Sequence, residues 1–308
     1  MHYFDAHADT LTQVAQSENL MQNSCCLDLA RVRVFADRYT QIFAVWKDRN
    51  TMSKDHPEDE FISLYQRVCG LLKDQSAYIE LCQNVSDMEK AHAEGKSAAF
   101  LSIEDISIMG NLAERAAEFG FRFAMPAWNY ENEYACGAVS SQLKGLTGRG
   151  RELVKKLTGQ GVVLDISHLS DCGTEEIFNL TDRPVMASHS NVREICHHPR
   201  NLSKEQIKEL IRRNGLMGIN FYDEFTGGKK EISDLLRHID AVLQLGGEKI
   251  LALGSDFDGC GAAFPKGITG VQSVPDFINI LEKERFGRET AENICWKNAE
   301  RFLHENVR

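Results

Sequence analysis

With 308 residues and 43% hydrophobic content, the chain can bury a large core, enough for two modest domains or one α/β barrel of ~200 to 400 residues. A formal net charge of −10, with Lys and Arg gathered only in pairs such as Lys155-Lys156, Arg212-Arg213 and Lys229-Lys230, excludes nucleic acid as an expected partner. No run of 18 apolar residues is present, which excludes a membrane-spanning helix as an expectation.

Nine cysteines, scattered and without a CxxC pair, read as mostly buried small apolar residues of a protein from a reducing compartment. The strand-like YFDAHAD starts at residue 3 and leaves no room before it for a secretory leader, so a cytoplasmic protein is expected. Eight β-rich runs follow in chain order: Tyr3–Asp9, Thr40–Trp46, Ala98–Glu104, Phe121–Ala127, Val162–Ile166, Val185–Ser188, Leu216–Phe221 and Ile250–Leu253. Most are continuous apolar stretches, the pattern of strands covered on both faces.

Between the runs lie charged amphipathic segments that end in Gly: EKAHAEG, ERAAEFG, KKLTGQG, IKELIRRNG and AVLQLGG. Each reads as a helix closed by a left-handed residue. Ser86 with Glu89, and Ser203 with Gln206, fit capping boxes at the starts of two of these helices. A longer excursion, DEFISLYQRVCGLLK and then AYIELC, separates the second run from the third. Strands alternating with helices predict an α/β fold, one (β/α)8 barrel forming a single catalytic domain over 1–308. The rival doubly wound sheet would want a Gly-rich phosphate turn, and neither GxGxxG nor a Walker-type loop is found.

In such a barrel, chemistry sits where strands end. Here the first run ends with His7 and Asp9, the third with Glu104, the fifth leads to His168, the sixth to His189 and the eighth to Asp256. Residues two apart on a strand share a face, so His7 and Asp9 can address one point. Asp5 has the same parity and reads as an orienting group one layer deeper. Three imidazoles with Asp and Glu form a nitrogen- and oxygen-rich ligand set suited to Zn²⁺ or another first-row divalent ion. Five ligands are too many for one catalytic ion but suffice for two if a carboxylate bridges, and Glu104 is the expected bridge. Among the other histidines, His238 reads as a structural hydrogen-bonder, His197 and His198 as loop residues, and His2, His56, His92 and His304 as surface.

The ordered set FDAHAD, SIED, LDISH, ASHSNVREICHHPRNLS, INFY and LGSDFDG resembles the membrane (renal) dipeptidase family of zinc peptidases over nearly the whole chain. The resemblance implies two zinc ions, one held by His7, Asp9 and Glu104 and the other by Glu104, His168 and His189. It implies hydrolysis of a small dipeptide by a hydroxide shared between the ions, with acceptance of a D-residue on the C-terminal side. It also implies Asp256 as the catalytic acid and base beside Glu104, Arg200 and Tyr222 as substrate contacts, and a homodimer. Trp128 stands where the renal enzymes carry a histidine, so oxyanion stabilisation would fall to zinc, to Asn129 or to the Trp128 indole N–H. Two rival expectations are a related hydrolase of lactones, cyclic amides or phosphoesters, and a retired barrel that binds a peptide or metabolite without cleaving it.

Overall fold

The computed structural model describes residues 1–141 and 144–308. Its strands are β1 (His2–Ala8), β2 (Arg38–Val45), β3 (Ile79–Leu81), β4 (Ser97–Glu104), β5 (Phe121–Met125), β6 (Val163–Leu164), β7 (Met186–Ala187), β8 (Leu216–Ile219) and β9 (Leu251–Leu253). All pair in parallel, in the orders β1-β2-β4-β5-β6 and β7-β8-β9. Bridges Asp165↔Met186 and Ala8↔Phe257 join the two sheets at both seams and close the ring. The fold is therefore the expected α/β barrel, with helices such as Pro57–Asp74, Gly148–Gly159 and Ile232–Gln244 between the strands.

β3 is additional to the eight expected strands. It arises inside AYIELC and pairs Ile79↔Ser97 to Leu81↔Ala99 at the start of β4. Three residues of regular pairing carry too weak a periodic signal to stand out in a sequence. The capping box at Ser203 and Gln206 is formed in both directions. That at Ser86 is not: Asn84 caps the helix Val85–Ala93 by accepting from the Asp87 N–H, so Ser86 already lies inside it. Left-handed backbone falls on Gly95, Gly120, Gly161 and Gly246 as expected, whereas in IKELIRRNG it falls on Asn214, an Asn being one of the few other residues that tolerates it.

The ring has two unlike ends. At the N-terminal end of the strands Phe4, Ile42, Phe100, Phe123, Met186, Leu216 and Ala252 pack into one apolar cluster sealed by Phe302 and Leu303 of the C-terminal helix. Each Phe buried there contributes roughly 1.5–3 kcal/mol. At the C-terminal end, Asp9, Glu104, His168, His189 and Asp256 are all buried.

A register shift in β1 between Asp5 and Ala8 adds His7 and Asp9 to the polar end. Before the shift, Phe4 pairs with Thr40, and Phe4 and Ala6 join the inner cluster. After it, Ala8 pairs with Phe43 and both belong to the outer core, so His7 and Asp9 turn inward. Asp5 therefore does not share their face. It receives the Tyr3 hydroxyl at 2.8 Å and the backbone N–H groups of His7 and Ser255 at 3.1 and 3.0 Å. Asp5 thus orients the backbone on both sides of the β9–β1 seam, and no imidazole.

Candidate metal centre and its cavity

The barrel brings together residues from both halves of the chain. His7 Nε2 lies 3.3 Å from Asp9 Oδ2, 3.2 Å from Glu104 Oε2 and 4.0 Å from Asp256 Oδ1. His168 Nε2 lies 2.8 Å from Glu104 Oε1 and 2.9 Å from His189 Nε2. Glu104 thus stands between His7 on one side and His168 on the other. The donor atoms of His7, Glu104 and His189 lie within 4.8 Å of one another, as do those of His7, Asp9 and Asp256.

The ring nitrogens turned away from this cluster have polar partners. His168 Nδ1 meets Asn129 Oδ1 at 2.8 Å, and an amide oxygen can only accept, so His168 carries its proton on Nδ1. His189 Nδ1 and His7 Nδ1 lie 2.8 and 3.3 Å from Ser188 Oγ. Turned inward, nitrogen and oxygen ligand atoms converge, and His7 Nε2 and Glu104 Oε2 are buried without a hydrogen-bond partner among the described residues. Buried acceptors facing one another are costly unless a cation lies among them. This donor set fits a first-row divalent ion.

Electrostatics agree. Burial and the nearby Asp9 carboxylate push Glu104 up to about 8, with His7 opposing. Burial raises Asp256 to about 6, again against His7. In His7, burial pulls the pKa down but the Glu104 and Asp9 carboxylates outweigh it, and the pKa rises well above the usual value. Burial holds His168 and His189 well below theirs, helped in His168 by Arg200 and in His189 by His7. A pocket that raises its acids and one imidazole together is short of positive charge.

The cluster floors a cavity of about 330 Å³ lined by Asp9, Gln13, Trp46, Glu104, Trp128, Asn129, His168, Tyr222, Phe225, Asp256, Gly259 and Cys260. Asp256 holds φ 61, left-handed backbone that Asp tolerates better than most residues. Its Oδ2 receives the Asn220 amide at 3.0 Å. Gly259 closes over the acids so tightly that a Cβ there would stand 2.2 Å from Asp256 Oδ1 and 2.3 Å from Asp9 Oδ2. The neighbouring Asp258 is structural, accepting from Thr10 Oγ1 at 2.6 Å and the Cys26 N–H at 2.5 Å.

Arg200 is only 2% exposed. Its Nη2 approaches His168 Nε2 at 3.2 Å, while Nε and Nη1 have no partner among the described residues. Burial lowers it to about 10, so it stays charged at neutral pH. His198 accepts the Arg200 N–H at 3.2 Å and so helps set this loop. His238 links two rim loops, accepting the Val192 N–H at 3.0 Å and meeting Thr226 O at 2.9 Å, the structural role expected of it. Trp128 packs against Trp46 with ring centroids 5.0 Å apart, and Tyr222 against Phe225 at 4.8 Å.

Two expectations for histidines fail. His92 is partly buried, its Nε2 3.1 Å from Tyr39 O and 3.2 Å from Thr40 Oγ1, and His2 packs edge-on against Trp296. Asn220, Gly259, Ser188, Gln13 and Trp46 are site residues that the sequence reading did not single out. The INFY and DFDG motifs held two of them in view, but a contact made across the ring leaves no local pattern.

A family model described as membrane dipeptidase, Peptidase family M19, matches residues 1–307. The chain is 27% identical over 265 residues to an uncharacterized protein in the pqqA 5' region of Klebsiella pneumoniae, covering 80% of this chain and 97% of that one. It is 32% identical over 199 residues to dipeptidase aclJ of Aspergillus oryzae, covering 62% of this chain and 47% of the fungal one, so it spans about half the length of that relative. A metallopeptidase from Rhodobacter sphaeroides, solved with a phosphinate mimic of the dipeptide L-Ala-D-Ala, matches at TM-score 0.84 and 21% identity over 100% of this chain and 99% of that one. The dipeptidase AC, a metallopeptidase of family M19, matches at 0.87 and 21% over the same shares. These structures share the fold.

Proposed function

Because the chain belongs to the membrane dipeptidase family, Peptidase family M19, we propose that it is a zinc-dependent dipeptidase acting on small dipeptides. The carrying observation is the buried cluster of converging acceptors, with His7 Nε2 and Glu104 Oε2 unpartnered, at the floor of a cavity sized for a small substrate. His7, Asp9 and Glu104 would hold one ion, and Glu104, His168 and His189 the other. When bound, the pair would supply a water that ionises near neutral pH and a Lewis acid for the scissile carbonyl.

The remaining steps belong to the chain. Asn220 occupies Asp256 Oδ2 and leaves Oδ1 free to take a proton from the attacking water and pass it to the departing amine. Arg200, which stays charged at neutral pH and whose Nε and Nη1 have no partner among the described residues, suits the free C-terminal carboxylate of a dipeptide. Tyr222, Trp128 and Asn129 line the cavity around the substrate. Asn129 turns its oxygen to His168, so of that side chain only the NH₂ remains to meet a developing oxyanion. Acceptance of a D-residue on the C-terminal side is supported by the L-Ala-D-Ala mimic held by the Rhodobacter relative. The reading includes one catalytic domain over 1–308, a homodimer and a cytoplasmic location.

The test is a panel on the zinc-loaded protein: the four stereoisomers of Ala-Ala beside lactones, cyclic amides and phosphoesters. Hydrolysis of a dipeptide, with Asp256→Asn lowering kcat by about 10²–10⁴-fold, is the expected result. Turnover of the other classes alone, or binding without turnover at full metal occupancy, rejects the reading.

A further inference from the structure

Two buried serine hydroxyls lie behind the imidazoles, and their bonding capacity is filled. Ser167 Oγ stands 2.6 Å from Asp165 Oδ1, 3.2 Å from the His189 N–H nitrogen and 3.3 Å from Ser188 Oγ. Ser188 Oγ stands 2.8 Å from His189 Nδ1 and 3.3 Å from His7 Nδ1. A serine hydroxyl has one proton to give and two lone pairs to receive with. The 2.6 Å contact with a carboxylate oxygen commits the Ser167 proton to Asp165. Ser167 then accepts from the His189 N–H and from Ser188. The Ser188 proton is thereby spent on Ser167, and both its lone pairs face imidazole nitrogens.

We infer that Ser188 is a positioning residue that fixes His7 and His189 together as Nδ1–H tautomers, with Asp165 and Ser167 setting the direction of the proton chain. The consequence is geometric. With the proton held at Nδ1 and Nε2 deprotonated, as a bound cation would require, both Nε2 lone pairs point at the Glu104 cluster, and one hydroxyl ties the ring after β7 to the ring on β1.

The backbone holds Ser188 in place to match. A Cβ at Gly218 would stand 1.9 Å from the Ser188 carbonyl oxygen, and one at Gly254 1.8 Å from it. That carbonyl is thus enclosed between Gly218 of β8 and Gly254 just after β9, where any side chain would displace it. Asp165 Oδ1 also accepts the Ser188 and Ser167 N–H groups at 3.1 and 3.0 Å, so one carboxylate anchors both the backbone and the hydroxyl chain. Outer partners that fix ligand tautomers are worth about 10–100-fold in metal affinity.

The inference rests on the reading of His7 and His189 as metal ligands, and two measurements separate its failure from a failure of that reading. In metal-free protein with ¹⁵N-labelled histidine rings, long-range ¹H–¹⁵N spectra report the His189 tautomer directly. A proton on Nδ1 is expected, and a proton on Nε2 would overturn the inference. Zinc affinity by chelator competition then compares Ser188→Ala and Ser188→Thr with wild type, each checked by circular dichroism melts. Ser188→Ala is expected to lose about 10–100-fold while Ser188→Thr, which keeps the hydroxyl, regains most of it. Equal affinity of Ser188→Ala and wild type would also overturn it. If Ser188→Ala does not fold, Ser167→Ala replaces it: that change leaves both imidazole contacts of Ser188 and removes the oxygen that takes the Ser188 proton and the His189 N–H, so a proton found on His189 Nδ1 with wild-type zinc affinity in Ser167→Ala would overturn the role given to the proton chain.

Discussion

The two ends of the barrel interior are built from the same strands to opposite ends. Phe100 and Glu104 lie four residues apart on β4, yet one is packed among Phe4, Ile42 and Phe123 while the other is surrounded by acceptors it does not neutralise. The apolar end gains free energy from burial, and its residues are replaceable in kind provided volume is kept. The polar end costs free energy as it stands, because carboxylates and imidazoles are desolvated without full partners. Stability and chemistry are thus segregated along the strand axis, and substitutions at the two ends should fail differently.

The sharpest break of this contrast is Glu104→Gln. It should lower dipeptide turnover by on the order of 10³-fold or more, since it removes the charge that the proposed function has both ions share. Melting of the metal-free protein should hold or rise, because a raised, buried carboxyl is replaced by a neutral amide. At the other end, Phe100→Ala should cost about 3–5 kcal/mol in urea unfolding and leave metal stoichiometry unchanged. Loss of metal without loss of stability in Phe100→Ala would show that the ends are not independent.

A smaller effect separates rim scaffolding from rim chemistry. Burial lowers His238 from 6.5 to about 4. A depressed histidine contributes stability that is complete above pH 6.5 and is lost as pH falls toward 4, where protonation would break the Val192 N–H bond. In metal-free protein this amounts to at most about 3 kcal/mol. Urea midpoints at pH 7 and pH 4.5 should fall further for wild type than for His238→Gln. An equal fall in the two proteins would assign the acid sensitivity elsewhere. The smallest effect concerns Gly259→Ala, whose methyl group would press on Asp9 and Asp256. It should reduce kcat by about 10-fold or more while changing melting by under 1 kcal/mol, because the acids it displaces supply chemistry and little packing.

Much of the polar end was legible because strand ends in such a barrel are where function collects. His7, Asp9, Glu104, His168, His189 and Asp256 each follow an apolar run, and all lie in one cluster. Asp5 was misread for an instructive reason: strict alternation extends His7 and Asp9 back to Asp5, but the register shift in β1 breaks the period between them. A shift of that kind is set by pairing with β2 and leaves no mark in seven residues of sequence. The Ser86 cap failed because Asn84, two residues earlier, competes for the same role and wins. His92 looked like a surface residue because its helix is charged, whereas the carbonyl of Tyr39 that it meets is 53 residues away. Ser188, Asn220 and Gly259 lie inside quoted motifs, yet their roles depend in part on contacts with His7, Asp256 and Asp9 in distant parts of the chain, which no local pattern marks.

The central claim is that the converging acceptors at the cavity floor are a site for two divalent cations. Titration of metal-free, folded protein with Zn²⁺, followed by elemental counting after desalting, tests it most directly. Two ions per chain are expected for wild type, with occupancy falling in Glu104→Gln and unchanged in Phe100→Ala. Wild-type protein that remains folded and retains no zinc would contradict the claim.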